Sequence, residues 1–175
     1  MKVEDQIARR VGLNDFSVRG QIIRDERGFR LNELDVSYCW MIQIDIQLGQ
    51  RGGLFGIKLK ENHFREHHNP DSLILGIYIQ NEEGHLIEFH SQKRNDDFND
   101  PIKEVSHFNL FNAGDHLTID GVIYHCRIVA NNIDTQLSLS NPHSPEFKRW
   151  EAQVHKTWSE LAIDSKSQKL IDFWS

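Results

Sequence analysis

A chain of 175 residues with 38% apolar and 26% charged residues is the size of one domain with one buried core. Its formal net charge of −6, with no Lys/Arg run, argues against a general affinity for nucleic acid phosphates. No stretch reaches the ~18 apolar residues of a membrane span, and the start MKVEDQIARR lacks the apolar core of a signal segment, so a cytoplasmic protein without nucleic acid or membrane partners is expected.

Val3, Ala8 and Val11, with Ile7, have helical spacing, and Gly12 supplies a stop. Val18–Arg24 and Phe29–Leu34 are short strand candidates around a turn at Asp25-Glu26-Arg27-Gly28. Val36–Leu48 then alternates with period two. Val36, Tyr38, Trp40, Ile42, Ile44, Ile46 and Leu48 define a core face, and Ser37, Gln43, Asp45 and Gln47, with Cys39 and Met41 as the apolar exceptions, a wetter or lightly covered one. A strand of that length spans roughly 40 Å at about 3.3 Å per residue, so it must bend, bulge or serve two sheets. After the Gly49–Gly53 loop, Phe55, Ile57 and Leu59 return antiparallel.

Lys60–Asp71 is polar and irregular. Leu73–Gln80 is apolar on both parities, which predicts a central strand covered on both faces. Asn81–Gly84 turns it into a strand over His85–Ser91, and Gln92–Glu104 is a long polar connection. Val105–Phe111 opens a meander. Asp120-Gly121, a strong hairpin signal, joins His116–Ile119 to Val122–Ala130, and Asn131-Asn132 leads into Ile133–Ser140. Ser144-Pro145-Glu146 reads as N-cap, proline at N1 and an acid in the first turn. Phe147, Trp150, Val154, Trp158 and Leu161 fall on one helical stripe, and Ser165–Trp174 is a second short helical piece.

Cys39 has the polar parity of its strand and Cys126 the apolar parity of its own, so the thiols point to different sides. Both are expected to be free in a reducing compartment. Eight or nine strands with helix only at the ends predict a mainly β fold. The form expected is an antiparallel β-sandwich or jelly roll, or a flattened barrel, with a short N-terminal helix and a C-terminal helical segment. Residues 1–143 would form the β domain, and 144–175 a helical extension packed on it.

Ten histidines make metal ligation worth weighing. His63, His67 and His68 cluster in ENHFREHHNP, for which surface histidines in a polar loop are the better reading and metal ligands the alternative. Gly114-Asp115, Gly121 and His125 together resemble the second motif of the cupin family, which implies a metal held by His125. Asp120 stands where that motif has proline, one extra residue separates Gly121 from His125, and the first cupin motif is absent. Pro70-Asp71 with Glu88-Phe89-His90 resembles the metal site of PD-(D/E)xK nucleases, with His90 in place of lysine. Asn95–Asp100 is acidic but lacks the glycine and glutamate of an EF-hand loop. A Ser-His-Asp set can be drawn from many residues, so spacing singles out none. The chain ends on Leu170, Phe173 and Trp174, apolar groups that would cover the protein's own sheet or anchor a partner.

These features predict a non-enzymatic binding or assembly module with no cofactor. It would engage a protein partner or itself as a homo-oligomer, with Leu170, Phe173 and Trp174 as partner-binding candidates. The alternatives are a metal-dependent cupin-like enzyme using His63, His67, His68 or His125, and a β-sandwich that binds a small molecule or glycan.

Overall fold

The structure is a computed structural model. It describes residues 1–18, 36–45, 51–59, 73–94, 100–105, 108, 122–140 and 144–173 in full, and the backbone path of 22–24, 30–33, 72 and 95. Its strands are β1 (Ile22–Arg24), β2 (Arg30–Glu33), β3 (Val36–Asp45), β4 (Arg51–Leu59), β5 (Ser72–Gln80), β6 (Leu86–Asn95), β7 (Ile123–Ala130) and β8 (Ile133–Ser140). The helices are α1 (Val3–Arg10), α2 (Pro101–Glu104), α3 (Pro145–Ser165) and α4 (Gln168–Asp172). β1 and β2 pair with each other. The other six strands form one antiparallel sheet in the order β6-β5-β4-β3-β7-β8.

The mainly β class and the terminal helices are as expected. Among the described residues, α3 and α4 pack on one face of the six-stranded sheet and α1 on the other, and a sandwich or jelly-roll topology is not displayed. Trp40, Ile42 and Ile44 of β3 are fully buried on one face with Ile77 and Tyr124, against Trp150, Val154, Trp158 and Leu161 of α3 and Leu170 of α4. Leu137 packs at the margin of this core. Burial of each large apolar side chain contributes roughly 1.5–3 kcal/mol. The opposite face carries α1, with Ile7 and Ala8 in one cluster with Cys39, Met41, Phe55, Ile57 and Tyr78.

Helix ends follow the local sequence. α1 stops in a Schellman turn: Leu13 N–H donates to Ala8 O at 2.8 Å and Gly12 N–H to Arg9 O at 3.2 Å, with Gly12 at φ 84°. α3 begins where Ser144 Oγ accepts from Phe147 N–H at 3.2 Å, with Pro145 next in line. Gly56 lies opposite Trp40 in the β3–β4 ladder, and its lack of a side chain leaves room for the indole. A Cβ there would collide with the Trp40 ring.

Several expectations need correction. Val36 shares even parity with Trp40, yet it is buried with Cys39 and Met41 on the α1 face. The register against β4 shifts between Val36 and Tyr38, and one irregular residue moves a side chain to the other face. The odd face of β3 is wet only in part: Cys39 and Met41 are buried, while Gln43 and Asp45 are half-buried. β6 runs on to Asn95, and α2 with Val105 is helical where polar connection and strand were expected. β7 is paired by β3 on one side and β8 on the other, while His116–Ile119, expected as its hairpin partner, lies outside the described residues. Residues 46–48, 109–121 and Trp174 lie outside the described residues.

Candidate functional site

The polar part of the α1 face is the candidate site. Strand register sets it out in rows. Ser138 of β8 lies opposite His125 of β7, which lies opposite Gln43 of β3, followed by Gly53 of β4 and Tyr78 of β5. The adjacent row holds Asp45, Arg51 and Gln80. Alternation along each strand sends all these side chains to one face. Ser138, His125, Gln43, Asp45 and Arg51 line an open groove of about 290 Å³, together with Glu4 of α1 and Arg127 of β7.

The groove's polar groups hold one another in place. His125 Nδ1 lies 2.8 Å from Ser138 Oγ, and His125 Nε2 lies 3.3 Å from Asp45 Oδ2. Asp45 Oδ1 accepts from Gln43 Nε2 at 3.0 Å and pairs with Arg51 Nε at 3.4 Å. Gln80 Nε2 reaches Gln43 Oε1 at 3.5 Å. Arg127 is fixed from two sides, by Asp134 through two hydrogen bonds at 3.2 and 3.1 Å and by Glu4 at 3.1 Å. The Arg127 guanidinium holds the Asp134 carboxyl below its ordinary range.

Cys126 Sγ belongs to the opposite core although its backbone borders the groove. Burial pushes its thiol up to about 12, and that of Cys39 likewise. Both are therefore protonated at neutral pH and poor nucleophiles. As expected from parity, the two lie on opposite faces and neither is crosslinked.

A second polar cluster sits at the edge of the α3 face. Tyr124 Oη donates to Glu151 Oε1 at 2.8 Å and lies 3.3 Å from His155 Nε2. Burial raises the Tyr124 phenol and lowers the His155 imidazole, so both favour their neutral forms.

Of the residues singled out from sequence, His125 lies in the groove. His63, His67, His68 and Asp71 lie outside the described residues. Among the described residues, no three His, Cys, Asp or Glu side chains are grouped to hold a metal. Glu88 accepts from Ser167 Oγ at 3.1 Å and pairs with Lys169 Nζ at 3.3 Å, tying α4 to β6. Asp100 caps α2 from within the core. Leu170 is buried and its carbonyl accepts from Trp158 Nε1 at 3.3 Å; Phe173 stacks on Trp158 with ring centroids 5.3 Å apart.

Sequence reading missed the grouping of Asp45, Arg51, His125 and Ser138. Outward parity marks His125, Arg127, Gln136 and Ser138 as a set, but only the β3–β7 register adds Asp45. No described helix is long and apolar enough to cross a membrane. Comparison with protein-family models, curated proteins and solved structures finds no match.

Proposed function

We propose that the protein is a binding module that engages a protein partner, or a second copy of itself, through the groove between α1 and β8. The observation that carries this reading is a shallow polar groove with side chains of both charge signs, each held by its neighbours on a rigid sheet. Small-molecule pockets are mostly apolar and enclose about 300–1,000 Å³. An open groove of about 290 Å³ lined by Glu4, Asp45, Arg51, His125 and Arg127 suits protruding side chains of a partner surface. Alternating charge favours one partner over others more than it adds affinity. In this reading the protein works in the cytoplasm with both thiols reduced, and its partner is not nucleic acid.

The test places a photocrosslinking amino acid at Gln136, in the groove lining, and at Lys156, exposed on α3. A single crosslinked species from Gln136, absent from Lys156 and lost in Arg51→Glu, supports the reading; its mass separates a second copy from another protein. Equal crosslinking at both positions, or none at Gln136 in an extract of the source cells, overturns it.

A further inference from the structure

We propose that Ser138 is a nucleophile, primed by His125 and positioned through Asp45, that accepts the acyl group of small activated esters in this groove. The inference goes beyond the docking reading and shares only the location.

The argument begins with the strand pattern. Ser138 has outward parity on β8, the last strand of the sheet among the described residues, so its hydroxyl is exposed. His125 faces it directly across the β7–β8 ladder, and the 2.8 Å separation lies within the range of about 2.6–3.2 Å for a nucleophile and its base.

The third group, Asp45, stands beside the far ring nitrogen and bears on which nitrogen carries the proton. An ionised carboxylate only accepts, so Asp45 Oδ2 at 3.3 Å favours the proton of a neutral His125 on Nε2. Nδ1 then presents its lone pair to Ser138, and the hydroxyl donates to it. Asp45 is itself held by Gln43 Nε2 and Arg51 Nε. All four supporting side chains stand on strands, which fix geometry better than loops do. The imidazole is turned end for end relative to the familiar protease arrangement, but the triad is defined by roles rather than by which ring nitrogen serves.

The step balances as follows. Ser138 Oγ attacks the ester carbonyl carbon, the Oγ–C bond forms, and the Oγ proton passes to His125 Nδ1. The bond from carbon to the leaving oxygen breaks, and the leaving group takes that proton as an alcohol. Water then attacks the acyl-serine, passes its proton to Nδ1, and releases the acid as the proton returns to Ser138. Asp45 offsets the transient imidazolium charge. The groove's volume fits short acyl groups.

The test treats the full chain with a fluorophosphonate, in which Oγ displaces fluoride and the proton leaves as HF. The expected result is one adduct, mapped to Ser138 and not to Ser140, which shares its strand and face but lies opposite Ile123. Labelling should slow by at least about tenfold in His125→Ala, in keeping with the 10²–10⁴ of general-base catalysis. Asp45→Asn should slow it too, because the amide can donate to Nε2 and leave the proton on Nδ1.

A second measurement does not depend on the fluorophosphonate. Ser138→Cys should react with iodoacetamide at neutral pH faster than Ser140→Cys, and only while His125 is present. No adduct at Ser138, equal labelling of both serines, or a Ser138 rate unchanged in His125→Ala overturns the proposal. The docking reading rests on crosslinking and is untouched by any of these results.

Discussion

The indole Nε1 of Trp40 donates to Asp100 Oδ2 at 3.1 Å inside the core between the sheet and α3. The same oxygen accepts from Tyr38 Oη at 2.9 Å, and Oδ1 accepts from Ile102 N–H at 3.2 Å. One carboxylate thus satisfies a tryptophan, a tyrosine and the first turn of α2. Asp100→Ala leaves buried donors without acceptors and should cost about 2–4 kcal/mol, measured by urea unfolding; a loss below about 1 kcal/mol would show that the network has no stabilising role.

The pH dependence of that site has a definite sign. Burial raises the Asp100 carboxyl above 3.8, opposed by its hydrogen bonds from Tyr38, Ile102 N–H and Trp40. A folded value above the unfolded one means that the folded chain holds the proton more tightly. The contribution is complete below 3.8 and is lost as pH rises through the folded value. Relative to Asp100→Asn, the wild type should gain stability as pH falls through that window. A constant difference across the window, or one of opposite sign, refutes this assignment.

The two cysteines should be silent in the folded protein. Burial pushes both thiols up to about 12, so a disulfide-exchange reagent at pH 7.5 should titrate neither until denaturant is added. Both should then react together. Stoichiometric reaction of either thiol in the native state would show that its side of the sheet is open.

Removal of residues 167–175 takes away Leu170 and Phe173. Phe173 also lies over Gly52, where a Cβ would come within 2.6 Å of its ring. The expected loss is roughly 2–4 kcal/mol, or about 5–15 °C in melting temperature, with the mass in solution unchanged. If the truncated chain instead keeps its melting temperature and loses an oligomer or partner, the segment serves assembly.

The alternation of Trp40, Ile42 and Ile44 made the buried face of β3 legible, and Ser144-Pro145-Glu146 marked the start of α3. Local signals end there. Nothing local to Cys39 and Met41 tells that α1 will cover them, and the irregularity that turns Val36 over depends on its pairing with β4. The Asn131-Asn132 turn marks the pairing of β7 with β8, whereas its pairing with β3, far away in sequence, has no local signal. For the same reason Ser138 and His125 could be paired by parity, but Asp45 could not be added to them.

The strand order has a kinetic consequence. β3 through β6 pair in sequence order and β7–β8 is a hairpin, so these pairings join neighbours in the chain, while β3 and β7 meet across the whole intervening chain. Long closures cost more entropy and slow folding, so this seam should zip last. Asp45 stands on one side of it, and His125 and Ser138 on the other. A chain still assembling has neither the groove nor the relay, so partner docking or serine reactivity would report that folding is complete.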